Sequence, residues 1–155
     1  MGKSDKEVIV GYFPGLKHDE NFKITSPQTP KYNCIAWAYG MDYKWMWPPA
    51  GMKCYDGVTF WPNENADANV EQFIIAFRDK GYEICENPDY EKGYQKIALY
   101  VKPGTTECTH AARQLRNGFW TSKLGRSHDI QHGTPYTIEG NNYGVVHCIM
   151  KRVFN

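Results

Sequence analysis

Residues 109–124 read "THAARQLRNGFWTSKL", and the way this stretch folds decides how the chain is organised. Asn117-Gly118 is the strongest short hairpin signal, because both residue types accept the positive φ of a tight turn. Strands are therefore expected on either side of it, "THAARQL" and "FWTSKL". A two-residue turn pairs Arg116 with Phe119, Leu115 with Trp120, Gln114 with Thr121 and Arg113 with Ser122. His110 then stands opposite Gly125, on the face of Lys123 and away from Ser122.

Outward from the hairpin, "YEIC" (Tyr82–Cys85), "KIALYV" (Lys96–Val101) and "VVHCIMKRVF" (Val145–Phe154) read as further strands. Upstream, "NVEQFIIAFRDKG" is a helix: Val70, Phe73, Ile74 and Phe77 recur at helical spacing, Asp67 or Asn69 can cap it, and Gly81 can close it. "EVIVGYF" (Glu7–Phe13) reads as a short strand ended by Pro14-Gly15, and residues 16–31 as loop. In "TPKYNCIAWAYG" (Thr29–Gly40), Cys34–Tyr39 reads as a short buried helix stopped by Gly40, with Ile35, Ala38 and Tyr39 on one face. Helix early and antiparallel strands late predict an α+β fold, its cysteine-bearing helix packed on an antiparallel sheet. The 155 residues fit one domain, with an N-terminal strand and loop at 1–31 and the core at 32–155.

Eighteen basic and 17 acidic residues give a net charge of +1, without the basic excess expected of a nucleic-acid protein. No apolar run is long enough for a membrane span, and "MGKSDKEVIV" has no secretory h-region. The five cysteines are scattered and odd in number, which favours a reduced cytoplasmic chain or one delivered without a leader. Aromatic residues make up 15%, many in the Pro- and Gly-punctuated segment 43–62, which belongs to a loop over the core or to a site.

Cys34 opens its helix, where unpaired N–H groups lower a thiol pKa; the plain alternative is a packed thiol, since free cysteine is usually buried. Gln28, six residues earlier, could donate to a developing oxyanion. A nucleophilic cysteine needs a base, and His110 at the start of the hairpin is the candidate; His18 lies in the early loop with no obvious structural frame, and His147 reads as an ordinary strand histidine. The base needs an orienting partner, for which Asp129 in "RSHDIQH" is the choice, with Ser122, Lys123 and His132 left open. Trp37, Trp45, Trp47 and Trp61 could line a substrate groove or simply pack. His128 and His132 have the i, i+4 spacing of two metal ligands, but Gly133-Thr134-Pro135 opposes a helix there and no CxxC is present, so neither metal nor cofactor is expected.

A cysteine at a helix start, a glutamine before it and a histidine opening a late strand resemble the papain-like cysteine hydrolases, including their compact NlpC-type branch. Asn33 fits that branch, and Ile35-Ala36 departs from its usual Ser-Gly. The wording "YNCIAWAYG", "WMWPP", "THAARQL", "GFWTSKLG" and "DIQH" further resembles a family of small uncharacterised microbial proteins, over about Tyr32 to Arg152. The papain-like resemblance implies Cys34 as nucleophile, His110 as general base, Asp129 as third residue and Gln28 as oxyanion donor. It implies a peptidase, amidase or deamidase acting on a peptide or protein amide, either in the cytoplasm or as a delivered effector. The competing reading is a non-catalytic binding, immunity or anti-defence protein on the same frame, with segment 43–62 as its contact surface.

Overall fold

The computed structural model describes residues 4–48, 59–62, 68–124 and 127–154. Its centre is a seven-stranded antiparallel sheet. In chain order its strands are β1 (Lys23–Ser26), β4 (Glu83–Cys85), β5 (Tyr94–Val101), β6 (Cys108–Gln114), β7 (Trp120–Lys123), β8 (Asp129–His132) and β9 (Val145–Val153). Across the sheet they run β1-β8-β7-β6-β5-β9-β4. A small parallel pair, β2 (Trp45–Met46) with β3 (Thr59–Phe60), stands apart. The expected α+β class is what forms.

β5 explains the layering. Ile97 to Val101 are all buried, so this strand is covered on both faces and reads as a continuous apolar run rather than an alternating one. Ile97, Leu99 and Val101 point to one face, where helices α2 (Cys34–Tyr39) and α3 (Val70–Asp79) pack with Ala111 and Met150. Ala98 and Tyr100 point to the other, joined by Ile9, Phe13, Leu16, Trp120, Ile130 and Ile138. That second layer comes from α1 (Asp5–Tyr12) and two 3₁₀ turns, Pro14–His18 and Pro135–Ile138. The helix-faced layer and this second layer will be called the front and the back.

The first element corrects the expected strand at Glu7–Phe13: it is helix α1. Ser4 caps it, its Oγ accepting from the Glu7 N–H while Glu7 reaches back to the Ser4 N–H, a reciprocal capping box. Two satisfied N-terminal donors outweigh the strand preference of the valines and isoleucine. Residues 16–31 are not loop throughout, since they contain most of a 3₁₀ turn and β1. Asp67 lies outside the described residues, and Asn69 is the cap of α3, accepting from Glu71 N–H.

The hairpin departs from expectation by one residue. Leu115 N–H donates to Phe119 O and Gly118 N–H to Leu115 O, leaving a three-residue loop, 116–118, with Gly118 at φ +90°. Asn-Gly suits this turn as well as the two-residue one, with glycine in the left-handed position. Arg113 consequently pairs with Thr121 and Gln114 with Trp120. A one-residue slip moves every side chain of the second arm to the opposite face. Ser122 goes to the back, with His110; Lys123, paired with Asp129, comes to the front.

Candidate functional site

Cys34 is placed by its neighbour. Asn33 is the N-cap of α2: its Oδ1 accepts from Ala36 N–H at 3.1 Å. The same side chain holds β2, Oδ1 accepting from Met46 N–H at 3.1 Å and Nδ2 donating to Met46 O at 2.9 Å. Strand β2 is thereby laid beside the start of α2. Gly40, at φ +99°, ends the helix in the left-handed cap expected of it.

The thiol lies in the front core, 6% exposed, and burial pushes its pKa up to about 11. Opposing that shift are the backbone groups of Ala111 on β6, Ile35 and Cys34 itself, and after them the charge of Lys123. Burial wins, so the resting group at neutral pH is the thiol.

The polar neighbours on this face form one cluster. Lys123 donates from Nζ to the Thr29 and Ser127 carbonyls at 2.8 and 2.7 Å, with its ammonium 5.1 Å from the centroid of the Tyr32 ring. Tyr32 donates its hydroxyl to Asp129 Oδ2 at 2.6 Å, and its pKa is raised to about 12 by burial and then by that carboxylate. Asp129 Oδ1 is buried and accepts no hydrogen bond from the described residues. Burial lowers the Lys123 pKa, opposed by Asp129 and by Cys34. Thiol, ammonium, phenol and carboxylate therefore share one water-poor region.

His110 is on the back. Its ring stacks on Tyr143, centroids 3.8 Å apart, and meets Tyr100 edge-on. Its Nε2 is 3.0 Å from Ser122 Oγ, which is 2.8 Å from His132 Nε2; His132 Nδ1 is 2.8 Å from the Thr134 carbonyl. A carbonyl can only accept, so His132 carries its proton on Nδ1 and accepts at Nε2 from the Ser122 hydroxyl. Ser122 Oγ in turn accepts from His110 Nε2–H. That leaves His110 Nδ1 as a bare acceptor, and it is buried without a partner among the described residues. Gly144 enables the Tyr143 stack: at φ +75°, an added Cβ there would lie 2.0 Å from Val101 O.

These placements correct the expected dyad and triad. Cys34 packs in the front core and His110 in the back network, and no hydrogen bond joins them. His110 is oriented by Ser122, one of the residues left open, and not by Asp129, which serves Tyr32 on the front. Gln28 is exposed and lines a surface groove with Asp5, Ser26 and His128; its amide makes no hydrogen bond to the thiol. The one-residue turn difference places Ser122, Lys123 and Asp129, whereas the face of His110 is set by its pairing with Tyr100 of β5, opposite the face that carries Cys34.

Trp37, Trp47 and Trp61 pack around the front core. Trp37 donates Nε1 to Thr121 Oγ1 at 3.0 Å and stacks at a tilt on Tyr32. Trp47 and Trp61 meet Phe73 of α3 edge-on, and Trp45 donates Nε1 to the Pro30 carbonyl. Much of segment 43–62 lies outside the described residues. His128 bonds Ser127 through Nδ1 and meets Asp5 at 3.3 Å through Nε2, so neither it nor His132 offers an unused ring nitrogen. Among the described residues no group of three or more His, Cys, Asp or Glu is placed to hold a metal ion. In the sequence Tyr32 carries no signal of this role beyond its place beside Asn33-Cys34.

No curated protein and no solved structure matches this chain. A family model described as a domain of unknown function (DUF7689) matches residues 23–151, which is β1 through nearly all of β9 and contains both histidine network and thiol cluster. The chain belongs to the DUF7689 family.

Proposed function

We propose that the chain is a thiol-dependent hydrolase of peptide or protein amides, with Cys34 as its nucleophile. The observation that carries this reading is the convergence on Cys34 of backbone groups from Ala111, Ile35 and Cys34 with the Lys123 ammonium. These are groups that favour a thiolate and, later, an oxyanion. In this scheme Cys34 attacks the amide carbonyl, and the front cluster replaces the expected histidine. Lys123 stabilises the thiolate, and Asp129, whose Oδ1 has no partner among the described residues, takes the thiol proton and returns it to the amide nitrogen as the C–N bond breaks and the amine leaves. Water then cleaves the thioester, releasing the carboxylic acid and restoring the thiol.

A second reading, a binding protein whose thiol is inert, is favoured by the same thiol's burial and its pKa near 11. Acylation separates the two. With p-nitrophenyl acetate, the hydrolase reading expects the acetyl group to appear on Cys34 ahead of Cys85, Cys108 and Cys148. The rate should climb with pH through the alkaline range and fall at least about tenfold in Lys123→Met, the loss of one charge-assisted contact. Peptide-amide turnover should vanish in Cys34→Ala at unchanged melting temperature. Acetylation of Cys34 no faster than that of Cys148 would favour the binding protein.

No helix among the described residues is long and apolar enough to cross a membrane. The described cysteines Cys34, Cys85, Cys108 and Cys148 are all free thiols, which suits the reducing cytoplasm we assign to the reaction.

A further inference from the structure

The cations of this protein are unevenly matched. Lys96 and Lys151 share Glu91, and Arg78 meets Glu83. Lys80, Arg113 and Arg152 have no carboxylate within 4.0 Å among the described residues. They nevertheless gather in one place. Arg113 of β6 pairs with Ile97, and Arg152 of β9 pairs with Gln95, two residues along the same strand β5. The two arginines therefore stand on the front, one on either side of β5, while Lys80 reaches in from the C-cap of α3.

Aromatic rings support each of them. Arg113 lies 4.5 Å from the Trp37 ring centroid, Lys80 4.2 Å from that of Tyr39, and Arg152 5.4 Å from that of Tyr82. A ring satisfies the flat face of a guanidinium and leaves its in-plane N–H donors for other acceptors, of which the Tyr82 hydroxyl is one for Arg152. Among the described residues, the Nε atoms of both Arg113 and Arg152 are buried and without an acceptor. Burial lowers the Lys80 pKa, and Arg152 and then Arg113 lower it further by repulsion. Both arginines also act on the Tyr82 phenol, opposing the rise that burial causes. All three cationic residues are half-buried rather than sealed in.

We propose that Lys80, Arg113 and Arg152, with the Tyr82 hydroxyl, form a binding site for an oxyanion group, phosphate or carboxylate, carried by a small ligand. Two guanidinium forks and an ammonium would supply charge-assisted bonds to one anion, and the anion would supply the acceptors that both Nε–H groups lack. Its charge would also remove the repulsion among three neighbouring cations. The site does not depend on the reactivity of Cys34, although Arg113 rests on Trp37, one helical turn beyond that cysteine.

The test titrates the full chain by calorimetry and thermal melting with inorganic phosphate and, separately, with glutarate, sodium chloride holding ionic strength constant. Saturable binding to one site is expected, with a melting temperature that rises with ligand concentration. Arg152→Met and Lys80→Met should each weaken it at least about tenfold, the loss of one charge-assisted contact. Lys80→Met serves if the arginine variant fails to fold. Tighter binding of phosphate would assign a phosphoryl ligand, and tighter binding of glutarate a carboxylate. If neither anion exceeds chloride, or if binding survives both substitutions, the site is overturned.

Discussion

Ser122→Ala is expected to lower the folding free energy by about 2–4 kcal/mol, although it removes a single oxygen atom. Ser122, His110 and His132 are each 0% exposed, so water cannot replace the lost hydroxyl. The substitution strands two atoms at once: His110 Nε2–H loses its acceptor and His132 Nε2 loses its donor. A buried polar group left without a partner costs roughly 1–3 kcal/mol, and these two costs fall together. Urea unfolding with an unchanged m-value would read the loss directly. A change under about 0.5 kcal/mol, the scale of an ordinary surface substitution, would show that the network contributes nothing to the fold.

The same network makes the wild-type protein acid-sensitive. His132 is held down to about 4 by burial, and His110 well below its ordinary value by burial and then by His132. An unfolded chain takes up both protons near pH 6.5. Between about 6.5 and 4 the unfolded state therefore binds more protons than the folded one, and stability rises with pH. The contribution is complete above pH 6.5 and is lost as pH falls toward 4, about 3 kcal/mol from His132 alone. Unfolding midpoints at pH 7.5, 6 and 5 should decline in that order.

The helices and central strands are legible because their signals are local and redundant. In α3 an asparagine cap, a four-residue apolar stripe and a closing glycine agree. In β5 a β-rich apolar run has no helical spacing and leaves few choices. α1 shows the limit: "EVIVGYF" is strand-like by composition, and only its first residue, Glu7, paired with Ser4 three residues earlier, betrays a helix. β1 and β8 have four residues each and are partly polar, so their pairing is a tertiary fact.

The site is less legible for a sharper reason. Cys34 can be placed from Asn33 and the small residues behind it. Its partners cannot, because they depend on whether the Asn117-Gly118 turn has two residues or three. Both turns accept this dipeptide, and the difference exchanges Ser122 for Lys123 on either face. What selects the longer loop is not local: Trp120 fills the back core, and Thr121 meets Trp37 on the front. The shorter turn would reverse both.

Asn33→Ala should be the most damaging change near Cys34, costing about 3 kcal/mol or more. The N-cap bond to Ala36 contributes roughly 1 kcal/mol. Met46 is fully buried, and its backbone N–H and carbonyl both rely on the Asn33 amide. Stranding those two groups costs roughly 1–3 kcal/mol each, unless β2 lifts away from α2 and lets water in. Either response touches the thiol, because burial is what holds the Cys34 pKa near 11. Iodoacetamide should then modify Cys34 at least about tenfold faster relative to Cys148, as expected if its pKa falls by one unit or more. Asn33→Asp separates the cap from the strand. It keeps an acceptor for the Ala36 and Met46 N–H groups but sets a carboxylate oxygen against the Met46 carbonyl, and its negative charge opposes the thiolate. Asn33→Asp should therefore lose stability without gaining Cys34 reactivity. If Asn33→Ala loses less than about 1 kcal/mol, the cap alone, and Cys34 reacts no faster, the asparagine does not tie β2 to the helix that carries the thiol.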